Sequence, residues 1–139
     1  MAAYNKFQDY VEQLARGVHN WASHTFKAGL TNTAPNATDD EYADITEISA
    51  GNGYSAGGMT LDSVTLTETS GTAKVTIADE VLTASGGSIG PFRYVVIYND
   101  TSTGDKLVAW FDRGSSITLN SGDSLTLDFD ATNGLWQLT

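Results

Sequence analysis

The sequence predicts a mainly β protein: a jelly-roll-like β-sandwich of eight or nine strands with one short N-terminal α-helix. Three observations carry this. Charged residues make up only 17% of the 139 residues, against roughly 25% in typical soluble domains, and Gly, Ser and Thr fill the gap. Alternating runs rich in Val, Thr, Leu and aromatic residues recur about every ten residues between turn-forming clusters. Only one segment, at the N-terminus, has the apolar spacing of a helix. The length is that of one domain, able to bury a core without staples, so the expected organisation is a helical arm over residues 1–20 and a sandwich over 21–139.

The helix is expected over residues 3–18. Phe7, Tyr10, Val11, Leu14 and Val18 fall on one stripe, Tyr4 extends it by a turn, and Gly17 is placed to end it. Such a stripe either packs on the protein's own sheet or docks on a partner.

From Trp21 onward the apolar period becomes two. Residues 24–30 read as the first strand, and the polar connector TNTAPNATDDEY precedes a short strand at 43–48. Residues 59–69 and 71–78 predict a hairpin turning at Ser70-Gly71, with Val64 and Leu66 answering Val75 and Ile77. A short strand at 80–84 follows. The run 92–98, FRYVVIY, is apolar almost throughout, as a central strand buried on both faces would be. The turn-forming NDTSTGD at 99–105 leads back into KLVAWFD at 106–112. Strands at 116–119 and 124–130 come next, and residues 135–138 end the chain, expected to pair with their neighbour.

Composition excludes several functions. There are no cysteines, hence no disulfides, thiolate metal sites or cysteine nucleophiles. The net charge is −10, which offers little to phosphates or to anionic membranes, so neither nucleic acid nor membrane is an expected partner. The charge is uneven: residues 1–30 sum to +1, whereas 31–139 carry four basic and fifteen acidic side chains. No secretory signal and no membrane-length apolar run is seen, and synthesis in a reducing cytoplasm is expected.

One catalytic motif is present by letter. Gly53-Tyr54-Ser55-Ala56-Gly57 matches the G-x-S-x-G nucleophile elbow, which needs a strand–turn–helix setting and a histidine later in the chain. Here a strand-like run follows, and both histidines, His19 and His24, precede Ser55, so a tightly turned loop is the expected reading. The acidic stretch beginning at Asp128 and Asp130 resembles the start of a calcium loop. It has Asn133 where the loop requires glycine and lacks the closing glutamate. That stretch and Asp39-Asp40-Glu41 read as solvated surface, and the two histidines as structural. No metal site, cofactor site or catalytic group is therefore expected. Among the aromatics, Trp110 and Phe111 read as core, Tyr4 and Tyr54 as exposed contact residues, and Trp136 as facing outward.

The stretches KFQDYVEQLARGVHN (6–20), FKAGLTNTAP (26–35), YADITEISAGNGY (42–54), GGSIGPFRYVVIYNDT (86–101) and 124–138 together resemble a family of small virion proteins of tailed bacteriophages, the capsid decoration or cement proteins. The resemblance covers nearly the whole chain and rests on word order, with no catalytic signature in it. It implies a jelly-roll sandwich bound in many copies to the outside of an HK97-like shell. The partners it implies are the major capsid protein and further copies of the chain, as dimers or trimers, and the location is the virion surface. Residues 1–30 would be the docking arm, with Tyr4, Phe7, Tyr10, Val11, Leu14 and Tyr54 as the contact residues. A tail or head–tail connector protein, a carbohydrate- or receptor-binding sandwich and an esterase are the competing readings.

Overall fold

The computed structural model describes residues 2–139. Ten strands form three antiparallel sheets: β1 (Tyr4–Lys6), β2 (Phe26–Thr31), β3 (Met59–Thr60), β4 (Thr65–Thr69), β5 (Thr72–Thr76), β6 (Glu80–Thr83), β7 (Ile89–Asn99), β8 (Leu107–Leu119), β9 (Ser124–Leu127) and β10 (Trp136–Leu138). The one α-helix, α1 (Tyr10–Ala15), is a turn and a half long, and a single 3-10 turn covers Tyr42–Asp44. The main sheet has the order β1-β8-β7-β2-β3. Opposite it lie a three-stranded sheet, β10-β5-β4, and a two-stranded one, β6-β9. The protein is thus a mainly β sandwich.

The central strand is β7, as its unbroken apolar run requires. Alternate side chains leave a strand on opposite faces, and both faces of β7 are covered. Ile97 joins Phe26, Ala28, Val75 and Leu135 between the layers. Val96 and Tyr98 point the other way, onto Phe7, Ile45 and Leu107, beneath the connector that follows β2. A third cluster, with Leu30, Tyr54, Leu82 and Phe92, fills the end nearest β6. Each such side chain contributes roughly 1.5–3 kcal/mol when fully buried. The exposed ion pair Arg16–Glu12 (2.6 Å) is worth below ~1 kcal/mol, so apolar burial holds the fold.

Two close approaches depend on glycine. The Tyr42 ring lies on Tyr98 (centroids 3.9 Å), and its hydroxyl occupies the space a Cβ on Gly29 would need. Gly58, at φ +87°, passes directly against the Ala28 carbonyl, where any side chain would both clash and strain the backbone.

The structure corrects several expectations. Residues 3–18 are not one helix: Tyr4, Asn5 and Lys6 pair with Phe111, Trp110 and Ala109 of β8, and helical backbone begins only at Tyr10. The segment expected as a separate arm is therefore built into the sandwich, with Phe7 and Tyr10 fully buried. Residues 43–48 contribute the 3-10 turn and an isolated bridge between Thr31 and Glu47. The strand expected over 59–69 divides into β3 and β4, with Ser63 at positive φ between them. The strands expected at 106–112 and 116–119 are one, β8, with Gly114 at φ +97° inside it. The last strand, β10, pairs with β5 and not with its sequence neighbour. The β4–β5 hairpin has the anticipated register, Leu66 opposite Val75.

Candidate functional site

The elbow-like loop is held by a half-buried carboxylate. Glu47 Oε1 accepts from the Tyr54 hydroxyl and from the Gly57 N–H, both at 2.7 Å. The Tyr54 hydroxyl in turn accepts from the Leu30 N–H at 2.9 Å, and the Tyr98 hydroxyl donates to the Gly57 carbonyl. Burial, together with the neighbouring Glu47 carboxylate, raises the Tyr54 hydroxyl far above the ordinary tyrosine range. Tyr54 is therefore a core residue, 2% exposed, and not the exposed contact expected from its Gly-rich surroundings. Ser55 follows it on a turn that leads into β3, not into a helix. His19 and His24, the only imidazoles, both direct Nδ1 to Asn99 Nδ2 at 3.1 Å. The letters of the elbow are present, and its geometry is not.

The acidic stretches serve local structure. Asp130 accepts from the N–H groups of Thr132 and Asn133, each at 2.8 Å, and from Asn133 Nδ2 at 2.9 Å. These donors hold its carboxyl below the usual carboxylate range. Glu41 and Asp40 face Lys106 Nζ at 3.1 and 3.8 Å, tying the connector to the start of β8. Among the described residues no group of three or more His, Asp or Glu is arranged to hold a metal ion.

The aromatics are mostly inside. Trp110 packs on Phe7 with centroids 4.7 Å apart. Trp136, expected to face outward, packs edge-on against Tyr10 and Trp21. Of the six residues expected to form a docking stripe, Phe7, Tyr10 and Tyr54 are buried in the protein's own interior, and Leu14 packs against the main core. Val11 is half exposed on the outer side of α1. Only Tyr4 stands at an opening.

That opening is an apolar cleft of about 440 Å³. It lies where the sandwich layers part between β1, β7 and β8 on one side and β9 with the connection to β10 on the other. Its walls are Tyr4, Val95, Phe111, Leu125, Leu127 and Phe129. Tyr4 meets Phe111 edge-on, centroids 6.1 Å apart, and desolvation pushes its hydroxyl up to about 12. Charge is carried by Arg93, Arg113, Asp128 and Asp130. Arg93 is held by Asp112 at 2.7 and 3.0 Å, whereas the exposed Arg113 bonds only to Ser115. The cleft is lined on both sides by strands that end their sheets, β1 in the main sheet and β9 in the small one. It offers apolar area and unpaired strand edges, the materials of a protein-docking surface.

Sequence reasoning treated Phe111 as core and Phe129 as strand, and missed that both line one cleft. No local pattern signals such a cleft, because it depends on which strands end their sheets. The roles of Glu47 and Asn99 were equally invisible. No helix among the described residues is long and apolar enough to cross a membrane. No protein-family model matches the chain, and neither a curated protein nor a solved structure matches it.

Proposed function

We propose that this chain is a virion structural protein: a capsid decoration protein that binds the outside of an HK97-like shell and stabilises it by bridging capsomers. The observation that carries the reading is the apolar cleft at the open side of the sandwich, with charge beside apolar walls. It comes together with the resemblance of the sequence to phage decoration proteins. An extended segment of the major capsid protein would enter the cleft, set apolar side chains between Phe111 and Leu127, and pair with a free strand edge. Tyr4 and the exposed Val11 remain contact residues in this reading, while Phe7, Tyr10, Leu14 and Tyr54 support the surface from within.

The mechanism is mechanical. Packaged DNA pushes the shell outward, and a bridge engaging two capsomers must be broken at both ends before they part. Two modest contacts suffice, since the second forms at high effective concentration. Copies of the chain meet at symmetry axes as dimers or trimers. The acidic body keeps the particle surface from sticking to other polyanions. The sugar-binding alternative draws less support, since it asked for outward-facing aromatics and Trp136 is packed inside. Densitometry of purified virions tests the proposal. Hundreds of copies per particle are expected; a few dozen or fewer would assign the chain to the tail or its connector instead.

A further inference from the structure

We propose that His19 and His24, gripped by Asn99, form an acid-released latch that fastens the segment between α1 and β2 to the turn joining β7 and β8. The inference rests on hydrogen-bond polarity at three side chains and not on capsid binding.

Asn99 is fully buried at the end of β7. Its Oδ1 accepts from the N–H groups of Thr101 (3.0 Å) and Ser102 (3.2 Å). Those two backbone donors fix the orientation of the amide, because a flip would set its NH₂ against them. Nδ2 then points at His19 Nδ1 and His24 Nδ1, each 3.1 Å away, and at the Val18 carbonyl (3.4 Å). Both imidazoles must therefore accept at Nδ1, which makes each the neutral tautomer with its hydrogen on Nε2. For His24 a second donor, the Asn20 N–H at 3.3 Å, requires the same. Protonation of either ring places an N–H at Nδ1 opposite an N–H donor that cannot turn away. The attraction becomes a repulsion.

The surroundings offer little compensation. His19 is 5% exposed, its Nε2 has no partner, and it packs between Tyr10 of α1 and Phe26 of β2. Burial and the adjacent His24 hold it down to about 4. Lys106, before β8, acts in the same direction, and only Asp9, before α1, favours the charged form. Of the carboxylates around the turn, Asp100 faces Lys27 (3.7 Å) and Glu41 faces Lys106, and Asp105, set beside Asp100 and Lys27, is not among the charges that act on His19. The latched segment carries Trp21, whose indole donates to the Tyr10 hydroxyl at 2.8 Å. Release would uncover Tyr10, Trp21 and Phe26 while leaving the β7–β8 ladder paired.

The test begins on the unmodified protein. Long-range ¹⁵N NMR of the imidazoles, titrated from pH 7.5 to 3.5, reads tautomer and protonation directly, and hydrogen exchange over the same range reads opening. The expected result is two Nε2–H tautomers at pH 7, with His19 titrating well below its ordinary range. Protection factors in residues 17–25 fall at least tenfold as pH drops, while those of β7 and β8 persist. In Asn99→Asp a carboxylate replaces the amide and accepts from a protonated Nδ1, so His19 should titrate higher and the opening should move to lower pH. Ordinary titration of His19, Nδ1–H tautomers at neutral pH, or loss of protection simultaneously in the sheet and in residues 17–25 would overturn the latch.

Discussion

The indole of Trp21 lies face to face on Phe26, ring centroids 3.6 Å apart and planes 4° from parallel. Trp21 lies in the irregular segment between α1 and β2, yet it is 2% exposed and covers the start of β2. Through Tyr10 and Trp136 it also joins α1 to the last strand. The N-terminal segment is thus a working part of the core. Trp21→Ala should cost about 3–5 kcal/mol, as truncations of buried aromatics do. Urea denaturation followed by far-UV circular dichroism measures it. Deleting residues 2–18 removes Phe7 and Tyr10 together and should leave no cooperative transition, the reverse of what a detachable arm would show.

The loop over residues 53–57 offers a paired test of lock against nucleophile. Tyr54→Phe leaves the Leu30 N–H without its hydroxyl partner and takes a donor from Glu47, a loss of roughly 1–3 kcal/mol. Ser55→Ala touches an exposed side chain and should shift stability by less than about 0.5 kcal/mol. Thermal melts of the two variants separate the roles. A large loss in Ser55→Ala with none in Tyr54→Phe would reverse the assignment.

Stability should fall in acid for a specific reason. His19 is neutral in the fold with its proton affinity depressed to about 4, against about 6.5 in an unfolded chain. The unfolded state therefore takes up a proton first as pH drops. The contribution is intact above about pH 6.5, declines by up to ~1.4 kcal/mol per pH unit between there and about pH 4, and is flat below. Chemical denaturation at a series of pH values reads the slope. His19→Gln should flatten it across that window.

Much of this architecture was legible in the chain. The apolar run at 92–98 announced a strand covered on both faces, and NDTSTGD fixed the hairpin that pairs it with β8. Leu66 opposite Val75 followed from period two and a Ser-Gly turn. The N-terminal reading failed because Phe7, Tyr10 and Leu14 have helical spacing and yet belong to different surroundings. Phe7 follows an edge strand and packs on Trp110, Tyr10 opens a short helix, and the pairing of Tyr4 with Phe111 spans most of the sequence. The same remoteness hid the pairing of β10 with β5. The expected strands at 106–112 and 116–119 are one, with Gly114 at φ +97° inside it. The cleft was the least legible, since it lies where β1 and β9 leave the sandwich open, and no short stretch encodes an opening.

The charge beside the cleft should govern the speed of docking more than its strength. Arg113 is exposed and bonds only to Ser115 of its own strand, so Arg113→Glu should leave folding intact. Reversal of a rim charge changes association rate and salt dependence first. Stopped-flow binding to purified shells at low and high salt distinguishes this from a change in dissociation.

Cosedimentation of the protein with purified shells lacking it, for wild type beside Tyr4→Ser, puts the most pressure on the proposal that the open side of the sandwich is the capsid contact. Wild type should saturate in fixed proportion to capsid subunits, and Tyr4→Ser, still folded at the assay temperature by circular dichroism, should bind at least about tenfold more weakly, as loss of an aromatic anchor implies. Shells that retain no wild-type protein, or that bind both forms alike, would contradict it.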